Sequence, residues 1–179
     1  LAQVRAVGLS IPGTVDLEHG WSLDSPVMVG WDGVALAPYL HPLVDVPVVV
    51  DNDANAMALS EHHGHLEEFT DLVMVKASTG IGVGVVAGGR LLRGALGAAG
   101  ELGHSKSGAA RGRTCRCGDT SCVETVAGGW ALVQEMQSRG RDVRHVRDLV
   151  ALALEGDPEA RTLVRESGRR FGEVLASAV

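Results

Sequence analysis

The sequence predicts an α/β fold, and three observations carry that prediction. Short apolar runs end in polar or Pro-Gly positions, longer stretches with apolar residues at helical spacing follow them, and the two kinds alternate along the first half of the chain. A strand, a polar tip and then a helix is the order that places functional groups at the carboxyl ends of strands.

In chain order, VRAVGLSIPG (4–13) reads as an apolar strand closed by a Pro-Gly turn, and VPVVVDN (46–52) as a second buried strand stopping at polar residues. Between them, GVALAPYLHPL (33–43) reads as a short helix. DANAMALSEHHG (53–64) carries Ala56 and Leu59 among small residues at helical spacing, with Gly64 as the stop. DLVMVKA (71–77) and IGVGVVAGGRLLRG (81–94) read as a strand, a Ser-Thr-Gly turn and a hairpin through Gly88-Gly89 whose alternate glycines leave one strand face bare. Helical patterns follow in GGWALVQEMQSRG, VRDLVALALEG and DPEARTLVRESGRRFGEVLASAV, the last with Asp157 as N-cap and Pro158 at the first helical position. The sequence contains no repeat, linker or low-complexity segment.

Composition narrows the function classes. No apolar run approaches the ~20 residues needed to cross a bilayer, and Leu1 opens neither a signal nor a transit peptide. A cytoplasmic chain is expected. The formal charge is −6, which speaks against gripping nucleic acid through phosphates. RDVRHVR (141–147) is the one basic cluster; it reads as a solvated loop or helix face, with a phosphate-binding patch as the remote alternative.

All three cysteines of the 179 residues lie in CRCGDTSCVE, 115–124. An odd count cannot all pair within one chain, whereas three thiolates and one further ligand make a tetrahedral zinc site. His104 is the candidate fourth ligand, since SKSGAARGRT between it and Cys115 is a polar loop able to fold back. Cys115, Cys117, Cys122 and His104 then form a closed Cys3His set, structural rather than catalytic. Gly118 supplies the tight turn, and Arg111, Arg113 and Arg116 offset the thiolate charge. The alternatives are three reduced, exposed cysteines or a redox pair. His62, His63 and His65 read as a solvated helix end.

VVVDNDAN places Asp51, Asn52, Asp53 and Asn55 at a strand end. An Asp there can take a proton from a sugar hydroxyl with Asn beside it as a hydrogen-bonding partner; helix capping explains the same residues equally well. Glu101, three residues before His104, and Glu124, two after Cys122, are drawn to the cysteine cluster and form a plausible polyol-binding wall. STGIGVG offers Thr79 and Gly80 as a phosphate cradle, which a plain hairpin turn also explains.

SIPGTVD, DNDAN, STGIGVGVVAGGRLLRGALGAAGELGH and CRCGDTSCVE, in that order over about the first 130 residues, together resemble the ROK family of repressors and sugar kinases. The resemblance implies a ribonuclease H-like, actin/sugar-kinase type fold with two lobes, 1–70 and 71–179, a zinc loop at 104–124 in the second, and a sugar and ATP cleft. It also implies the structural Cys3His zinc. Carried over by motif, Asp53 matches the catalytic base, Gly13, Asn52, Asp53, Glu101, His104 and Glu124 match sugar contacts, and Thr79-Gly80 matches a phosphate loop. Ser121 departs from the Gly usual before the last cysteine.

The family's N-terminal Asp-x-Gly-Gly-Thr hairpin and its C-terminal adenosine-contacting strand are not in this chain, which reads as incomplete at both ends. Family regulators carry an N-terminal winged helix-turn-helix for operator DNA and use the kinase-like part to sense sugar. Lys76-Ala77-Ser78 before Thr79-Gly80 resembles such regulators more than the Gly-Thr-Gly of glucokinases. The leading expectation is therefore a sugar-binding effector domain of a homo-oligomeric regulator, with DNA bound only through the helix-turn-helix absent here. An ATP-dependent sugar kinase using Mg2+ is the alternative, and a zinc-stapled interaction module without sugar binding is a third.

Overall fold

The structure, a computed structural model, describes residues 4–23, 25, 27–65 and 68–178. Contacts between residues divide the chain into two units: Leu1–Met74 with Val83–Gly100, and Val75–Gly82 with Glu101–Val179. The chain thus passes between units three times, where the sequence suggested one crossing near residue 70.

In the first unit, β1 (Val7–Ile11) pairs in parallel with β5 (Val48–Asn52), running from Val7 opposite Val48 to Ile11 opposite Asn52. The paired runs are rich in valine, leucine and isoleucine, residues that suit a pleated, half-buried surface. Between them a small antiparallel sheet forms in the order β2-β3-β4, from Thr14–Asp16, Trp21–Leu23 and Val34–Ala35. Asp16 builds its first turn, since its Oδ1 accepts the N–H groups of Glu18 and His19 at 2.9 and 3.1 Å. Helix α1 is confined to Ala37–Leu40, so the predicted helix 33–43 is corrected: its first residues enter β4, and Pro38 fits the opening turn it occupies. Ile11, Val15, Leu36 and Val50 form the buried core, with Leu9 and Met28 packed on it.

Helix α2, Asp53–Gly64, follows β5 directly and ends at the predicted glycine. β6 (Leu72–Ala77), β7 (Ile81–Ala87) and β8 (Arg90–Leu92) form a third sheet in that order. The β7-β8 turn places Gly88 and Gly89 at φ 55° and 74°, the left-handed pair a two-residue hairpin requires. The glycine-bared strand face has a use. A Cβ on Gly84 would lie 2.5 Å from the Ala54 carbonyl oxygen and 2.6 Å from the Ala58 Cβ, so α2 seats there through its small residues.

The second unit carries a short helix α3 (Glu124–Ala127) and the three predicted helices, α4 (Gly129–Ser138), α5 (Val146–Glu155) and α6 (Pro158–Leu175). The Asp157 side chain caps α6 by accepting the Ala160 N–H at 2.9 Å, with Pro158 first in the helix. The helix stops at Leu175, short of the predicted 179; Val179 lies outside the described residues. Leu132, Val133, Met136, Val143, Leu149 and Ala160 make this unit's core. Among the described residues, no helix is long and apolar enough to cross a membrane.

Candidate functional site

The four proposed ligands converge. His104 ends a single 3-10 turn, Leu102–His104, and the cysteines lie on a loop tied down by bridges between Thr114 and Thr120 and between Lys106 and Cys122. One ligand atom from each of His104, Cys115, Cys117 and Cys122 lies within 4.8 Å of all the others. Cys117 Sγ is 3.8 Å from Cys122 Sγ, and Cys115 Sγ is 3.7 Å from His104 Nδ1. Burial pushes the Cys115 thiol up, and burial together with the neighbouring Cys117 and Cys115 sulfurs pushes Cys122 up to about 12. Without a metal these groups are thiols; as thiolates they are a donor set that can hold a metal ion.

Two details of the loop differ from expectation. Lys106, a residue the sequence reading did not single out, is a cation beside the sulfurs: its Nζ is 4.0 Å from Cys122 Sγ, donates to the Thr120 carbonyl at 2.6 Å and pairs with Asp119. Arg113 instead donates to the Thr125 carbonyl at 3.3 Å, Arg116 turns to Glu124, and Arg111 is exposed. Lys106 was findable, being one of two lysines in the chain and two residues from His104. His62 also departs from the solvated helix end: it is buried, whereas His63 and His65 are exposed.

The second detail is the backbone at Ser121. Ser121 is the non-glycine residue with positive φ, 65°, among the described residues, and its Oγ accepts the Gly112 N–H at 3.0 Å. Ser121→Ala keeps the backbone strain and loses the bond, so it is expected to destabilise by about 1 kcal/mol. Ser121→Gly relieves the strain while losing the bond and loosening the unfolded chain, and should stay within about 0.5 kcal/mol of the parent when the three proteins are compared by denaturant unfolding.

The His104 ring faces two ways. Nδ1 turns to the thiols, and Nε2 lies 3.8 Å from Glu101 Oε2. Glu124 is only 4% exposed, its Oε2 accepting the Ile81 N–H at 2.8 Å and its Oε1 accepting the Trp130 indole N–H at 2.8 Å and Arg116 at 3.4 Å. Gly80 makes room for it, since a Cβ there would lie 2.8 Å from Glu124 Oε2. Trp130 is a partner that sequence reasoning missed.

The Thr79-Gly80 turn is fastened at its carbonyls. Ser78 and Thr79 oxygens accept the N–H groups of Gly129 and Trp130, both at 2.9 Å, and the Ser78 N–H donates to Gly80 O. A cavity of about 420 Å3 opens here, its lining including Thr79, Arg116, Trp130, Arg144, His145 and Arg147, with Arg116 4.9 Å above the Trp130 ring. Part of RDVRHVR therefore lines a cavity. Its Arg141 instead pairs with Asp157 and Glu159 at 2.6 and 3.0 Å.

Gly13, Asn52 and Asp53 belong to the first unit. Asn52 is the N-cap of α2, its Oδ1 accepting the N–H groups of Ala54 and Asn55 at 2.8 and 3.1 Å, and its Nδ2 donates to the Gly13 carbonyl at 2.9 Å. Helix capping thus accounts for Asn52. Asp53 opens the helix, where the dipole favours a carboxylate. The second unit holds Thr79, Gly80, Glu101, His104 and Glu124.

Comparison with known proteins matches the whole chain, residues 1–179, to the ROK family. An N-acetylmannosamine kinase of Escherichia fergusonii is 37% identical over 143 residues, covering 79% of this chain and 48% of the kinase. The chain spans about half the length of such curated relatives. A ROK hexokinase of Thermus thermophilus is 40% identical with a TM-score of 0.78, over 98% of this chain and 58% of that one. A ROK family transcriptional regulator, a homologue of the Escherichia coli MLC protein, is 31% identical with a TM-score of 0.82, over 98% and 46%.

Proposed function

The chain belongs to the ROK family, and from that premise we propose that it is the sugar-binding effector part of a transcriptional regulator, taking a hexose or derivative beside one structural zinc ion. The two-sided His104 carries this reading. Two sulfurs at about 2.3 Å from a tetrahedral zinc stand about 3.8 Å apart, and a sulfur and an imidazole nitrogen about 3.6 Å apart. The observed separations are 3.8 and 3.7 Å. A zinc bound at Nδ1 would leave the ring proton on Nε2, a donor on the side of the Glu101 carboxylate. A fixed donor beside an acceptor is what a sugar hydroxyl needs. The residues matched by motif, Gly13, Asn52, Asp53, Glu101, His104 and Glu124, are the proposed sugar contacts.

In this reading the sugar acts by shifting a conformational equilibrium, with operator DNA held by a winged helix-turn-helix outside this chain. Support comes from the regulator neighbour and from Lys76-Ala77-Ser78 before the Thr79 turn. A specific observation favours a second reading, a sugar kinase with Asp53 as base: the cavity beside Thr79 gathers Arg116, Arg144 and Arg147, cations suited to the phosphates of ATP with Mg2+. The kinase relatives support it as well.

The experiment uses the full-length protein. A regulator is expected to bind one zinc per chain, to melt higher with a hexose or N-acetylhexosamine, and to transfer no phosphate from ATP. ATP-dependent phosphorylation of a hexose or N-acetylmannosamine that disappears in Asp53→Asn would overturn the regulator reading in favour of the kinase.

A further inference from the structure

Asp51 stands one residue before Asn52, at the end of β5, and collects four donors. Its Oδ1 accepts the Asn52 N–H at 2.8 Å and Asn55 Nδ2 at 3.1 Å; its Oδ2 accepts Arg93 Nε at 3.1 Å and Nη2 at 2.7 Å. The Asp51 side chain is 12% exposed and that of Arg93 34%. Arg93 directly follows β8, and its carbonyl accepts the Ala99 N–H at 3.0 Å, closing the loop between them. One unbroken run of bonds therefore joins Gly13, Asn52, Asp51, Arg93 and Ala99, all in the first unit.

We propose that the Arg93–Asp51 ion pair is a positioning element for the sugar-binding corner: it sets the backbone at Asn52 and the first turn of α2, which carries Asp53. The proposal rests on the sugar-binding reading above, and neither residue of the pair is a sugar contact in it. The division of labour between the oxygens is the physical basis. Arg93 occupies Oδ2 through two nitrogens, which holds the carboxylate plane and leaves Oδ1 aimed at Asn52 and Asn55. Without that plane the side chain can rotate, and the cap that Asn52 makes on α2 loosens with it. A small displacement of a binding group far exceeds its packing cost in lost affinity.

The test compares Asp51→Asn, Arg93→Gln, Arg93→Lys and the double variant Asp51→Asn with Arg93→Gln in the full-length protein. Two readouts are taken, affinity for the best-binding hexose and amide hydrogen exchange at Ala54 and Asn55. Each Asn or Gln single variant is expected to weaken sugar binding about tenfold or more and to speed those two amides by a similar factor, with helices α4–α6 unchanged. Arg93→Lys keeps a cation but not the two-nitrogen grip and should fall between. In the double variant an amide pair can re-form, so part of both losses returns. Singles that lower the melting temperature while leaving Ala54, Asn55 and the sugar affinity alone would overturn the proposal and leave the pair with general stability only. If the parent protein binds no hexose, the sugar reading fails by itself, and the exchange at Ala54 and Asn55 decides whether the pair positions the corner.

Discussion

Removing the proposed zinc, by chelation or by Cys122→Ser, is expected to cost the chain its sugar affinity as well as stability. Cys122 is fully buried, and burial with the nearby Cys117 and Cys115 sulfurs pushes its thiol up to about 12 when no metal is bound. Metal uptake must therefore expel protons from the buried Cys115 and Cys122 thiols, so the apparent zinc affinity rises with pH and falls as acid restores those thiols. Competition with a chromophoric chelator at two pH values between 6.5 and 7.5 reads that slope directly. Once the metal is gone, the His104 ring keeps only neighbours at 3.7 and 3.8 Å, the Cys115 thiol and the Glu101 carboxylate, and the loop keeps its bridges, its backbone bonds and the Lys106 contacts without the ion that would hold all four groups. The melting temperature is expected to fall by at least about 10 °C, since structural zinc supplies folding energy outright. Sugar affinity is expected to fall about a hundredfold or more, the upper range for loss of a ligand-orienting group. A chelated protein that melts and binds hexose as before would remove both the metal and its link to the sugar.

Glu124→Leu is expected to be nearly as damaging, for a different reason. It leaves the Ile81 N–H and the Trp130 indole N–H without an acceptor and Arg116 without its carboxylate. Stranding buried donors and a partly buried cation costs about 3–5 kcal/mol. At about 2–4 °C per kcal/mol for a chain of this size, the loss is near 10 °C. Glu124→Gln is milder, about 1–2 kcal/mol, because one oxygen still serves Ile81 while the amide N–H meets an indole donor. The conservative variant separates the two roles of this residue. A pure sugar contact would lose hexose binding in Glu124→Gln with an unchanged melt; the bonds around it predict that both move together.

Legibility followed the range of the interactions. The strand ending in Asp51-Asn52, the α2 stop at Gly64, the Gly88-Gly89 hairpin and the Asp157-Pro158 start of α6 were readable because their causes lie within a few residues. The thiol cluster was readable because an odd set of cysteines around a tight Gly118 turn has few other uses. The β2-β3-β4 sheet was not, since strands of two or three residues show no alternation to detect; the Asp16 turn and Gly20 were its local signal. Nor was the burial of Glu124, whose partner Ile81 is 43 positions away and contributes a backbone N–H that no residue type reveals. Asp51 and Arg93 stayed unlinked for the same reason, 42 positions separating them. In the acidic corner the capping reading holds for Asn52, and the cap sets Asp53 at the start of the helix.

The orientation of His104 equips the chain with a built-in reporter. A ring held by Nδ1 cannot flip, so in the loaded protein its Nε2–H would give a single, slowly exchanging nitrogen resonance in place of the averaged signal of a free imidazole. Cobalt in the same donor set would move that resonance far from all others. A guest arriving at the Glu101 side would then perturb a signal that also testifies to the metal on the opposite edge, and one nucleus would register both occupants.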